Sequence, residues 1–174
     1  MTPPDQETVY RRWLQDHWGL LLKIVRAKAT TTQDQEDLLQ EILLNLWTLL
    51  GSFRGESRET TWIYRVACNT AWDWKRSDKR RQRRERAWMK QLPPTPLTNP
   101  QNATINHEAI ERLYAAIRQL PHVEAALALM HLDGLSYREM AEVVGISENY
   151  VGVKLTRIRH ELAAQLTGGQ DELR

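Results

Sequence analysis

A glycine between two short amphipathic runs near the C-terminal end is the feature that most constrains the fold. Ser136 is followed three residues later by Glu139, which is the spacing of a capping box at the start of a helix. Gly145 can adopt the left-handed backbone of a helix end, and Ser147 stands where it can cap the next helix. Residues 135–160 therefore predict two helices joined by a tight turn, a helix-turn-helix.

The second helix of this predicted pair has an inner and an outer face. Its apolar residues recur at helical spacing and should face inward: Val151, Leu155, Ile158 and Leu162. Amide, aromatic and basic groups should point outward: Asn149, Tyr150, Val153, Lys154 and Arg157. Such a face suits entry into the major groove of DNA. The alternative is a helical hairpin buried in the core of a bundle.

The rest of the chain also has helical periodicity, and strand signals are absent. We expect helices over about 7–28, 34–50 and 61–90, and again from about residue 106. The second of these opens with acidic residues, which favour a helix N-terminus. The sequence thus predicts an all-α protein.

A proline-rich stretch divides the chain. Four prolines lie within residues 93–100, and they forbid a continuous helix there. We therefore expect two small helical domains, 1–90 and 107–170, joined by an extended linker over 91–106.

Composition excludes several classes of protein. The 174 residues have room for one large or two small domains. No apolar run approaches the ~20 residues of a membrane span, and the N-terminus lacks the pattern of a signal peptide. The single cysteine, Cys68, rules out an internal disulfide and is expected to be buried. We expect a cytoplasmic protein without membrane insertion.

Positive charge is concentrated in one segment. Residues 75–90 contain nine Lys or Arg and two acidic residues, a charge of +7, whereas the whole chain carries only +2. This density predicts a polyanionic partner, because neutralised phosphates release counterions. The alternative is a solvated basic end of a helix.

The predicted third helix has a packing face, and its opposite face mixes basic, amide and aromatic groups. The residues of that opposite face are Trp62, Arg65, Asn69, Trp72, Asp73 and Arg76. Such a surface suits single-stranded nucleic acid, where aromatic stacking contributes ~1–3 kcal/mol per base. The alternative is that the tryptophans pack against the first helix and that Asp73 pairs with a neighbouring arginine.

The predicted second helix has a wide apolar stripe and a different outer face. The outward residues are Asp37, Gln40, Glu41, Leu44 and Asn45. An exposed leucine between acidic and amide groups is typical of a protein-docking surface. We expect no metal site at Asp37 and Glu41, because no histidine or further carboxylate stands at a compatible spacing. We also expect no cofactor and no catalytic residues.

Two sets of segments resemble the two domains of bacterial extracytoplasmic-function (ECF) sigma factors. Residues 36–47, Phe53 with the following arginine, and residues 61–76 resemble the first domain. Leu120 with the following proline, and residues 133–147 with the basic helix after them, resemble the second. The likeness covers most of the chain, in the order that the family has and with a tether between the domains.

The resemblance implies a role for each surface. The outer face of the second helix would dock on the clamp helices of the largest polymerase subunit. The loop 52–60 and the third helix would engage the minus-ten element through Arg58, Trp62, Arg65, Asn69, Trp72, Asp73, Arg76 and Arg80. The last helix would read the minus-thirty-five element through Ser147, Glu148, Asn149, Tyr150, Val153, Lys154 and Arg157.

By this resemblance the chain would bind core RNA polymerase and direct promoter recognition, DNA melting and transcription initiation, without being an enzyme. Core polymerase, promoter DNA and an anti-sigma factor would be its partners. Two positions depart from the family: Glu124 stands where arginine is frequent, and Gly152 costs its helix up to ~1 kcal/mol relative to alanine.

Three other functions fit the sequence less well, and one of them, a pure adaptor or anti-sigma-like binding protein, is disfavoured by the +7 charge of residues 75–90. A stand-alone helix-turn-helix regulator would use the N-terminal half for sensing or dimerisation. A nucleic-acid enzyme would need clustered carboxylates or an activated nucleophile, and no such cluster is found in the sequence.

Overall fold

The computed structural model describes residues 3–74 and 107–168, and within them the chain is helical without strands. The N-terminal half contains α1 (Pro3–Lys28), α2 (Thr32–Leu49), a 3-10 turn (Leu50–Ser52) and α3 (Glu59–Asp73). The C-terminal half contains α4 (His107–Gln119), α5 (His122–Leu132), α6 (Tyr137–Val144) and α7 (Glu148–Gly168). The predicted all-α class is confirmed. The basic segment 75–90 and the linker 91–106 lie outside the described residues.

The N-terminal half is a three-helix unit built around α2. Thr31 caps this helix, because its side-chain oxygen accepts a hydrogen bond from the backbone N–H of Asp34. One face of α2 is buried, as its periodicity predicts: Leu38, Leu39, Ile42, Leu43 and Leu46. The hydroxyl of Tyr10 in α1 donates to the carbonyl of Leu43 over 3.0 Å and fixes α1 against α2.

Three aromatic rings hold the chain that enters α3. Trp13 of α1 contacts Phe53 with ring centroids 5.1 Å apart, and it contacts Trp62 of α3 at 5.4 Å. Phe53 and Trp62 lie 5.6 Å apart. Such pairs contribute about 0.5–1.5 kcal/mol each beyond their buried area. The cluster therefore anchors both ends of the segment between the 3-10 turn and α3.

The helix-turn-helix forms as predicted. The side chain of Ser136 and that of Glu139 make both hydrogen bonds of a capping box at the start of α6. Gly145 ends α6 with a φ of +74°, and its N–H donates to the carbonyl of Ala141. In α7, the side chain of Val151 is fully buried. The inner face predicted for this helix is confirmed, with Leu155 and Ile158 buried and Leu162 partly buried.

The described parts of the two halves pack against each other. Helix α1 contacts α4 and α5, while α3 contacts α5 and α6. Their buried side chains form one continuous core. Cys68 lies in it, and burial raises the pKa of its thiol to about 12. None of the described helices combines the length and the apolar character that crossing a membrane requires.

Candidate binding surfaces

The predicted outer face of α2 is half-exposed along its whole length. It comprises Asp37, Gln40, Glu41, Leu44 and Asn45. The amide of Asn45 donates to the hydroxyl of Thr70 over 2.9 Å, so this residue also ties α2 to α3. Asp37 accepts a hydrogen bond from Gln33 one turn earlier. The face combines two acidic groups with a partly exposed leucine.

The predicted outer face of α3 is only partly exposed. Asn69 and Asp73 are exposed, and Arg65 and Trp72 are half-exposed. Trp62 was expected on this face, but its side chain is only 9% exposed. It is buried because it packs into the aromatic cluster with Trp13 and Phe53, which was the alternative considered for it. The predicted residues Arg76 and Arg80 lie outside the described part of the chain.

Helix α3 is buried on a second side by the C-terminal half, which the periodicity of a single helix does not reveal. The hydroxyl of Tyr64 donates to the carboxylate of Asp133 at the end of α5. The ammonium of Lys23 in α1 donates to the other oxygen of the same carboxylate. Burial raises the pKa of Tyr64, so its hydroxyl remains a donor. Asp133 thus joins α1 and α3 to the helix-turn-helix half.

Two arginines of the predicted minus-ten set are paired with carboxylates of α6. Arg58 contacts Glu139 over 3.0 Å, and Arg65 contacts Glu142 over 2.6 Å. Each pair joins the N-terminal half to the first helix of the helix-turn-helix. Exposed pairs of this kind contribute about 0–1 kcal/mol each, because solvent screens them. In this arrangement each of the two guanidinium groups already has a carboxylate partner.

The outer face of α7 is exposed near its start, as predicted. The Ser147 hydroxyl accepts a hydrogen bond from the N–H of Tyr150 over 3.3 Å and caps the helix. Tyr150 and Val153 are 46% and 48% exposed, so both side chains are accessible to a partner. The remaining exposed residues of the predicted set are Glu148, Asn149 and Arg157.

Lys154 is placed differently from the expectation of an outward side chain. Its ammonium donates to Glu124 in the first turn of α5, and the two side chains are only 19% and 20% exposed. The ammonium also lies 5.1 Å from the ring centroid of Tyr150. The hydrogen bond with Glu124 raises the pKa of Lys154. This pair could not be predicted, because nothing in the sequence links two residues on different helices.

Two family models match the two halves of the chain. Residues 10–81 match the model described as Sigma-70 region 2, and residues 110–162 match the model described as Sigma-70, region 4. Together they cover more than two thirds of the 174 residues.

Two relatives of known function are also sigma factors. The chain is 28% identical over 171 residues to RNA polymerase sigma factor YlaC of Bacillus subtilis (strain 168), covering 97% of this chain and 95% of that protein. It is 29% identical over 148 residues to the ECF RNA polymerase sigma-E factor of Escherichia coli (strain K12), covering 74% of this chain and 72% of that protein.

Solved structures share the fold. The sigma factor RpoE bound to the anti-sigma factor NepR from Bartonella quintana superposes with a TM-score of 0.64 at 17% identity. The superposition covers 91% of this chain and 96% of the RpoE chain. CnrH bound to the cytosolic domain of CnrY gives a TM-score of 0.63 at 19% identity, covering 91% of this chain and 88% of that one.

Proposed function

This chain belongs to the extracytoplasmic-function sigma factors of bacterial RNA polymerase, and on that premise we propose how its surfaces divide the work of transcription initiation. The outer face of α2 docks on core polymerase. The exposed part of α3, around Asn69 and Asp73, engages the unwound minus-ten strand. The exposed start of α7 reads the minus-thirty-five element in the major groove.

One observation carries this proposal: both sigma regions are present in the family's order, and the second is a properly capped helix-turn-helix. A stand-alone regulator is not favoured, because region 2 accounts for the N-terminal half that a sensing domain would occupy. The protein acts as an initiation factor rather than as an enzyme. Its place of action is the cytoplasm, where polymerase and chromosomal DNA are found.

An anti-sigma factor is the further partner that we propose. The proposal is supported by one structural relative, which is a sigma factor bound to the anti-sigma factor NepR. Such a partner would silence the protein by competing with polymerase for its exposed surfaces.

The docking assignment is tested by reversing the character of the outer face of α2. Asp37→Arg and Leu44→Glu are expected to weaken binding to core polymerase at least tenfold, since a buried interface tolerates neither an unpaired charge nor a reversed one. Titration of fluorescently labelled protein with core polymerase measures the affinity, and circular dichroism checks the fold.

Glu36→Arg is the matched control for this test. It reverses the charge of an exposed neighbour in the first turns of α2 that is not part of the proposed face. Its affinity should stay near that of the wild type. If all three variants bind core polymerase equally well, α2 is not the docking helix.

A further inference from the structure

A chain of three side chains connects α5 to the exposed start of α7. Glu124 in the first turn of α5 accepts a hydrogen bond from the ammonium of Lys154, and the same ammonium lies over the ring of Tyr150. Tyr150 and Lys154 are four residues apart on α7, so their side chains share one face. Glu124 is thereby linked, through Lys154, to a residue in the first turn of α7.

The first consequence concerns charge. Lys154 is the first basic residue along α7, yet its partner carries the opposite charge within hydrogen-bond distance. Both side chains are about four-fifths covered by their neighbours, so solvent screens the pair less than it would screen a fully exposed pair. If the ammonium of Lys154 moved away to contact a phosphate, the carboxylate of Glu124 would stay partly buried without this partner. Leaving a charge in that state costs free energy. The pair thus withholds one positive charge from the DNA backbone.

The second consequence concerns Tyr150. A cation over an aromatic ring attracts it, and the attraction strengthens as the cation loses water. One side of the ring is therefore held against Lys154, while 46% of the residue stays exposed. Val153, at 48% exposure, lies beside it on the same helix face. Together they present a fixed apolar surface next to the exposed amide of Asn149.

An apolar surface in the major groove has a specific complement. Among the four bases only thymine carries a methyl group there, and apolar side chains recognise it by contact. A ring that is held in one orientation makes that contact with less loss of side-chain freedom than a mobile one.

We propose that Glu124 is a positioning residue for DNA recognition, which holds Lys154 against Tyr150 so that Tyr150 and Val153 contact a thymine methyl group. The inference rests on the proposed minus-thirty-five role of α7. It departs from the expectation from sequence that the Lys154 side chain points outward and itself contacts DNA.

The experiment uses the chain bound to core polymerase and duplex promoter DNA carrying the upstream element that the wild-type protein selects from a random library. Each thymine of that element is replaced in turn by deoxyuridine, which lacks only the methyl group. One replacement should weaken wild-type binding roughly fourfold, the contribution of one buried carbon group. Tyr150→Ala should abolish that penalty.

Glu124→Gln should release Lys154 and so produce two changes. The factor by which deoxyuridine weakens binding should fall towards one, since the ring of Tyr150 is no longer held in place. The slope of log affinity against log salt concentration should steepen by about 0.9, because one additional phosphate is contacted. Glu108→Gln removes the same charge from the first turn of α4 and is the matched control. It should keep both wild-type values.

Lys154→Gln provides the complementary measurement, and it carries the test if circular dichroism shows that Glu124→Gln is unfolded. It should reduce the deoxyuridine penalty and leave the salt slope unchanged. A slope that flattens by about 0.9 in this variant would overturn the proposal, as would a Glu124→Gln protein that matches Glu108→Gln on both measures. A wild-type protein that selects no upstream element would instead overturn the minus-thirty-five role itself.

Discussion

At the scale of single residues, Asp133 joins the two halves by contacts with both α1 and α3. Its carboxylate accepts hydrogen bonds from Tyr64 and Lys23, and its side chain is only 14% exposed. A carboxylate in such a place is tolerated because its partners replace the water that it loses. The same donors would be left without that partner if the halves separated.

Replacing Tyr64 with phenylalanine tests the strength of this contact. Removing the hydroxyl should lower the free energy of unfolding by about 1.5–3 kcal/mol, the range for hydrogen bonds to charged groups. Tyr10→Phe is the matched control, because its buried hydroxyl donates to the neutral carbonyl of Leu43. It should cost only about 1 kcal/mol. Denaturant titration measures both, and equal losses would show that the charge of Asp133 adds nothing.

At the scale of elements, α6 depends on its caps more than the other helices do. It has eight residues, which is too short for helix propensity alone to stabilise it. The backbone N–H and the hydroxyl of Ser136 hold the pKa of Glu139 below the usual range of a glutamate, with a smaller effect from Arg58. The charged form of Glu139 therefore stabilises the folded state.

The sign of this effect predicts a pH dependence. A carboxylate whose pKa is lowered by folding stabilises the protein above its unfolded pKa, and that contribution is lost as the pH falls through the folded value. Wild type should exceed Glu139→Gln by about 0.3–1 kcal/mol at neutral pH, the contribution of a negative charge in the first turn of a helix, because glutamine keeps the capping geometry but not the charge. The difference should shrink towards zero on acidification below pH ~4. Urea unfolding across this range measures it.

Glu142→Gln serves as the control, since it removes a paired carboxylate from the same helix, the partner of Arg65, without touching the cap. A difference between wild type and Glu139→Gln that stays constant with pH would mean that the carboxylate charge is not what caps α6.

The elements also show what periodicity and local signals do and do not predict. The buried stripe of α2, the capping box at Ser136 and the turn at Gly145 were predicted, since each depends only on neighbours in sequence. The burial of Trp62 and the pairing of Lys154 with Glu124 were not. Both arise where one helix packs against another. The sequence of a single helix does not indicate which other element will cover its outer face.

At the scale of the whole molecule, the packing of the halves bears on the proposed minus-ten surface. Arg65 is held by Glu142, so nucleic acid that needs this arginine competes with α6. Glu142→Gln should tighten binding of a mixed-sequence single-stranded oligonucleotide by up to roughly fivefold, the contribution of an exposed ion pair. Fluorescence anisotropy of the polymerase-free protein measures this.

Glu161→Gln is the matched control for that measurement, because it removes a charge from an exposed position on α7. It leaves the pair with Arg65 intact and should bind the oligonucleotide as the wild type does. If both variants gain equally, the effect is one of net charge, and α6 does not compete for the surface.

The pairs of Arg58 and Arg65 with α6 have a consequence for measured affinities. A ligand that requires both guanidinium groups binds only those molecules in which α6 has moved away. Its apparent dissociation constant is then the intrinsic constant divided by the fraction of such molecules, so a fraction of about 1% would weaken binding roughly hundredfold. Any partner that draws the halves apart raises that fraction. Binding of such a partner and the proposed binding of the minus-ten strand are then expected to be positively cooperative, even when the two ligands never touch.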